Sequence, residues 1–104
     1  MIVYGLKNCD TCRAARKALP GADFVDVSVD GLPAEVRDRA LATFGSDLVN
    51  TRSTTWRVLS DEDRAAAPED LLTAHPKLMK RPLIAQGETL YLGWTEATRT
   101  ALGV

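Results

Sequence analysis

With 104 residues, 45% of them hydrophobic and 26% charged, and a formal net charge of -1, the chain has the size and balance of one domain with one hydrophobic core. That near-neutral charge excludes a molecule-wide surface for polyanions, and no apolar run reaches the roughly 18 residues of a membrane-spanning helix. Met1-Ile2-Val3-Tyr4-Gly5 passes directly into strand-forming residues without the charged n-region of a leader, so a cytoplasmic protein is expected, with no membrane contact and no direct nucleic-acid contact.

Ile2-Val3-Tyr4 predicts a short strand ended by Gly5, and apolar spacing at Cys12, Ala15 and Leu19 predicts a helix that Pro20-Gly21 stops. Phe24-Val25-Asp26-Val27-Ser28-Val29 alternates over its second half and predicts a second strand, parallel to the first across a helical crossover. Asp30-Gly31 marks a turn. Pro33 suits the first turn of a helix with apolar positions Val36, Ala40, Leu41 and Phe44, which Gly45 ends. From Asp47 to His75 the pattern is helical but interrupted: Ser60-Asp61-Glu62-Asp63 resembles a capping box, and Pro68 starts a new turn. Leu83-Ile84-Ala85 and Leu90-Tyr91-Leu92 around Gln86-Gly87-Glu88 predict an antiparallel hairpin, followed by a helix from near Thr95 to Leu102. The expected order is β-α-β, a helical insertion at about 33–76, then β-β-α, within a single domain spanning residues 1–104 and expected to be monomeric. That α/β order is similar to the thioredoxin-like fold.

Only two cysteines occur, in Cys9-Asp10-Thr11-Cys12, and a disulfide between them would close too small a loop to cross-link the fold usefully. Cys9 falls where strand gives way to helix, so its sulfur can face unpaired backbone N–H groups, which favours thiolate; Lys7, Arg13 and Arg16 are expected to act in the same sense. Cys12 lies three residues on, on the same helical face, placed to resolve a mixed disulfide formed on Cys9. A C-x-x-C also occurs in zinc sites, but a second ligand pair is absent and the lone His75 brings the soft ligands only to three, so no metal is expected; two inert buried cysteines are the other alternative.

Arg81-Pro82 precedes the hairpin, and in thioredoxin-like domains a cis-proline occupies that place beside the redox cysteine, which would bring Arg81 near Cys9 as a planar donor for an anion. An exposed arginine next to a turn is the alternative. Arg52, in Asn50-Thr51-Arg52-Ser53-Thr54-Thr55-Trp56-Arg57 ahead of a short helix, is a second anion-site candidate. Trp56 reads as a packing anchor and His75 as helix-end structure.

Tyr4-Gly5-Leu6-Lys7-Asn8-Cys9-Asp10-Thr11-Cys12, Asp30-Gly31-Leu32, Asn50 through Arg57, and His75-Pro76 through Lys80-Arg81-Pro82-Leu83 together resemble the arsenate reductase (ArsC)/Spx family over nearly the whole chain, most closely its YffB-like branch. The resemblance implies a nucleophile at Cys9 and anion-binding arginines at Arg52 and Arg81. Arsenate reductases of this type look to a further arginine in the closing hairpin, where this chain has Tyr91-Leu92-Gly93-Trp94. Many YffB-like proteins have only the first cysteine; Spx regulators, which sense oxidation and bind RNA polymerase, resemble this chain in having both, and usually carry a further C-terminal segment beyond the place where this chain stops at Val104.

The expected function is a thiol-disulfide oxidoreductase with Cys9 as nucleophile and Cys12 as resolving thiol, and Arg52, Arg81, Pro82 and Lys7 around the substrate. No tightly bound cofactor is expected; glutathione, thioredoxin or glutaredoxin would be the reductant, and glutathione or a protein thiol or disulfide the partner. A redox-sensing regulator that binds RNA polymerase, and an arsenate reductase, are the alternatives.

Overall fold

The computed structural model describes all residues from Met1 to Val104. In chain order the elements are β1 (Ile2–Gly5), α1 (Asp10–Ala18), β2 (Asp23–Asp26), α2 (Val27–Asp30), α3 (Ala34–Phe44), α4 (Thr54–Arg57), α5 (Asp61–Arg64), α6 (Pro68–Ala74), β3 (Leu83–Gln86), β4 (Thr89–Leu92) and α7 (Glu96–Leu102), with short 3-10 turns at Gly45–Leu48 and Pro76–Leu78. They group into two compact units: Met1–Asp30 with Arg81–Val104, and Gly31–Lys80. No helix is long and apolar enough to cross a membrane.

The first unit holds a four-stranded sheet in the order β2-β1-β3-β4, with β1 and β2 parallel and the other two pairs antiparallel, the thioredoxin-like α/β arrangement. Register puts Phe24, Val3, Ile84 and Tyr91 in one row across the sheet. Val3 and Ile84 from this row pack with Ala15 and Leu19 of the α1 segment, and Phe24, Tyr91, Trp94 and Leu102 close round them. The helical spacing of Cys12, Ala15 and Leu19 is thus the inward face of α1. The hairpin turns on two residues, with Gly87 at a φ of +59°, a backbone region that glycine enters without steric penalty. Thr95 caps α7, its hydroxyl accepting the Thr98 N–H at 3.1 Å.

One expected element is shorter than its sequence suggests. The strand predicted over Phe24–Val29 ends at Asp26, and Val27–Asp30 form a helical turn instead. Asp26 causes the change: its Oδ1 accepts the Ser28 N–H at 2.9 Å and the Ser28 hydroxyl at 2.6 Å, which bends the chain out of extended geometry. Val27 is then fully buried whereas Val29 is 74% exposed, an outcome that period-2 alternation on a single strand face would not produce.

In the second unit α3 runs for 11 residues, whereas between Asp47 and His75 the helices are short, as the interrupted pattern predicts, and side chains cap two of them: Ser53 Oγ accepts the Trp56 N–H at 3.2 Å and Ser60 Oγ accepts the Asp63 N–H at 3.1 Å. Arg37 ties α3 to α6, donating to Thr73 Oγ1 at 2.8 Å and to Glu69 Oε1 at 3.3 Å. Two loop segments pair antiparallel, with the Asn50 N–H on the Leu78 carbonyl and the Lys80 N–H on the Leu48 carbonyl, both at 2.7 Å.

Candidate functional site

Gly5 ends β1, and the loop Leu6–Asn8 delivers Cys9 to the N-cap of α1 in extended backbone geometry, φ -93° and ψ 124°. The Cys9 carbonyl accepts the Arg13 N–H at 2.9 Å, the first bond of the helix, so the side chain sits where helical N–H groups lack partners. Its sulfur lies 3.1 Å from Thr11 Oγ1. Partial burial pushes the proton affinity of the thiol up. The Thr11 hydroxyl, the Cys12 N–H and thiol, and the Arg81 guanidinium outweigh that effect and lower the Cys9 pKa from 9.0 to about 7. At neutral pH Cys9 therefore carries far more thiolate than an ordinary cysteine.

Cys12 is the opposite case. Fully buried on the inward face of α1, it is pushed by burial up to about 12; the Leu6 N–H and Arg81 counteract this only in part, and Cys9 adds to it. Both cysteines are free. The pair thus offers one accessible sulfur that ionises near neutrality and one enclosed sulfur that holds its proton. A thiolate attacks disulfides and a thiol does not, so of the two sulfurs Cys9 is the better suited to nucleophilic attack.

Arg81 and Pro82 belong to the same unit as the cysteines, and the Arg81–Pro82 peptide bond is cis. Pro82 is fully buried, and its carbonyl accepts the Gly93 N–H at 2.8 Å, which joins the β3 approach to the end of β4. The leading influences on the Cys9 pKa are burial, Thr11, Cys12 and Arg81, ahead of Lys7, Arg13 and Arg16. Lys7 faces Asp26, Arg13 donates to the Lys7 carbonyl at 3.4 Å, and Arg16 lies over the Phe24 ring, 4.1 Å from its centroid.

Arg52 lies in the second unit, exposed, its backbone N–H held by Asn50 Oδ1 at 3.0 Å. With Asn50, Thr51, Ser46 and Lys80 it lines an open cleft of about 690 Å³. Trp56 packs under Arg64, whose carbon lies 5.6 Å from the ring centroid, and His75 closes the C-terminus of α6.

Four residues with parts in these arrangements are not singled out by the sequence pattern. Thr11 touches the Cys9 sulfur, and its place inside C-x-x-C was the available signal. Gly5 leaves room for Cys12: a Cβ on Gly5 would overlap the Cys12 sulfur and lie 3.3 Å from its Cβ. Lys80 joins Arg52 in its cleft, its place beside Arg81-Pro82 being the available signal, and Asp26, which no local motif marks, accepts the Lys7 N–H at 3.2 Å.

A thioredoxin-like sheet with a cysteine pair at the start of its first helix defines the class. The ArsC family model matches residues 4–102, and the chain belongs to that arsenate reductase-like family. It is 39% identical over 103 residues to an uncharacterized protein of Haemophilus influenzae, covering 90% of each chain. It is also 31% identical over 104 residues to the global transcriptional regulator Spx 1 of Lactococcus lactis, covering 90% of this chain and 81% of that one. Among solved structures it resembles a YffB protein, at 30% identity and a TM-score of 0.85 over 96% of both chains. An ArsC-related protein from Brucella melitensis aligns at 36% identity and a TM-score of 0.70, over 96% of this chain and 91% of that one.

Proposed function

We propose that the protein is a cytoplasmic, monomeric thiol-disulfide oxidoreductase, with glutathione, thioredoxin or glutaredoxin as its reductant. The observation that carries this reading is the asymmetry of the pair: Cys9 is partly exposed at the N-cap of α1, 3.1 Å from the Thr11 hydroxyl, whereas Cys12 is fully buried one turn on, and the Cys9 pKa is lowered while that of Cys12 is raised. The Cys9 thiolate attacks one sulfur of a disulfide or glutathionylated thiol, the old S–S bond breaks, and the departing sulfur leaves as a thiolate that takes up a proton. Cys12 then loses its proton and attacks Cys9, which releases the second substrate sulfur and leaves a Cys9–Cys12 disulfide. Two reducing thiols return the pair to its starting state and are themselves joined as a disulfide, so the electrons balance at two per cycle. Arg81 borders the sulfur, with Pro82 next to it in the chain, and Arg81 and Lys7 of the same unit supply positive charge for a carboxylate-bearing substrate; no bound cofactor takes part.

Glutathione-dependent reduction of a mixed disulfide, measured for wild type, Cys9→Ser and Cys12→Ser, tests the mechanism. Cys9→Ser should abolish turnover, whereas Cys12→Ser should still remove glutathione from a substrate but lose protein-disulfide reduction. Unchanged turnover in Cys9→Ser overturns it. Arsenate offered in the same assay should yield only background arsenite, because Tyr91-Leu92-Gly93-Trp94 supplies no cation in the closing hairpin.

The 31% identity to Spx 1 favours a second reading, a redox-sensing regulator that binds RNA polymerase. In that case polymerase is captured differently by the reduced and the oxidised chain, and multiple-turnover disulfide reduction is absent.

A further inference from the structure

We propose that Asp26 is the positioning residue of the nucleophile loop: from the strand beside β1 its carboxylate holds the Lys7 backbone N–H, and so fixes the Leu6–Cys9 path that sets the surroundings of the Cys9 sulfur. This assignment rests on the reading of Cys9 as the nucleophile. It adds a residue distant in sequence that touches neither sulfur nor substrate.

The geometry is specific. Gly5 and Asp26 are register partners in the parallel pair β1–β2, so the two chains leave the sheet side by side. From there Asp26 Oδ2 reaches forward to the Lys7 N–H at 3.2 Å, while Oδ1 takes the Ser28 N–H at 2.9 Å and the Ser28 hydroxyl at 2.6 Å. Asp26 is 8% exposed as a residue, and its carboxylate uses both oxygens. Lys7 itself is exposed and lies in no helix or strand, so nothing in regular secondary structure would hold its N–H. The loop matters to both sulfurs: the Leu6 carbonyl accepts the Cys9 N–H at 3.3 Å, and the Leu6 N–H acts on Cys12. Lys7 and Ser28 are the groups that face Asp26; Thr11, Cys12 and Arg81 are those that face Cys9.

An ionised carboxylate can accept from both sides, and an amide cannot. In Asp26→Asn, of nearly the same shape, either the Lys7 N–H or the Ser28 N–H meets an NH2 group instead of an oxygen. Two effects then oppose each other in sign. Removing a negative charge, acting alone, would stabilise the Cys9 thiolate and lower its pKa. Releasing the loop lets the Cys9 sulfur move away from Thr11, Cys12 and Arg81 and raises it. The proposal therefore predicts an upward shift where simple charge removal predicts a downward one.

The test is the rate of Cys9 alkylation by iodoacetamide against pH, with the modified residue confirmed by peptide mass. Wild type should show a midpoint at about 7. Asp26→Asn should move it upward by about one unit, which reduces alkylation at pH 7 about fivefold. Ser28→Ala keeps the Lys7 bond and should leave the midpoint in place; a shift there equal to that of Asp26→Asn would assign the effect to the β2–α2 turn and overturn the proposal. An Asp26→Asn midpoint that is unchanged or lower overturns it as well, whatever the variant's stability. Amide exchange of Lys7 in wild type needs no variant: protection well above that of an exposed loop amide is expected, and free exchange overturns the proposal. A wild-type midpoint near the ordinary 8.5 would remove the nucleophile reading itself, and this assignment with it.

Discussion

Gly5→Ala should damage the protein through one atom pair, the new Cβ and the Cys12 sulfur. Gly5 has an ordinary φ, so the substitution adds no backbone strain; what it adds is volume where Cys12 is completely buried. The new methyl would overlap Cys12 Sγ, lie 3.3 Å from Cys12 Cβ and make ordinary contact with Phe24 at 3.7 Å. Two of these three contacts belong to one residue, so relief requires Cys12 to turn away or α1 to lift from β1. Overpacking of this kind costs about 1–3 kcal/mol, or roughly 4–15 °C in Tm for a domain of this size. A double-mutant cycle isolates the cause. Urea unfolding of wild type, Gly5→Ala, Cys12→Ala and the double variant should show Gly5→Ala costing at least about 1 kcal/mol less once the sulfur is gone, with a small residue from the Cβ–Cβ contact. Disulfide reduction should fall with Cys12 displaced, while alkylation of Cys9 continues. Strict additivity in the cycle would refute the reasoning, since the glycine would then matter for something other than room for Cys12.

Three further outcomes follow from other contacts. Thr11→Val removes the hydroxyl 3.1 Å from the Cys9 sulfur and should raise the alkylation midpoint from about 7 by roughly half to one unit, read as a slower rate at pH 7. The Asp26 carboxyl is held below its usual range by the Ser28 hydroxyl above all, so its contribution is fully present above about pH 4 and lost as pH falls through the lower folded value. Unfolding free energy measured from pH 5 to 2 should therefore decline less steeply in Asp26→Asn than in wild type. Thr95→Ala and Ser60→Ala each delete an N-cap and should cost about 0.5–2 kcal/mol in chemical denaturation, more at Thr95, whose cap holds the N–H of the buried Thr98.

Much of the fold could be read from the sequence because its signals are local. Apolar residues at 12, 15 and 19 are one helix face whatever surrounds them, and glycine at 87 between two apolar runs gives a hairpin for reasons contained in the turn. The β2 boundary was not legible in the same way. Alternation through Val27 and Val29 is a strand signal, and it lost to a competing hydrogen bond from Asp26 that no periodicity records.

The site divides along the same line, and the division is physical. That Cys9 starts α1 and Cys12 follows one turn later is a matter of spacing, so their placement at the helix start can be argued from the sequence alone. The size of the difference between them depends on burial and on side chains reached through the fold: Thr11 from two residues away, Arg81 from the segment that enters the neighbouring strand β3. Sequence proximity misleads here. Lys7, Arg13 and Arg16 lie near Cys9 in the chain and their charges suggest support for a thiolate, but they face Asp26, the Lys7 carbonyl and the Phe24 ring. Distance along the chain counts for little against direction in space. The lowered pKa of Cys9 accordingly belongs to the arrangement of neutral dipoles and one arginine around a helix start, and substitutions at Thr11 and Arg81 should move it more than substitutions at any of those three nearer cations.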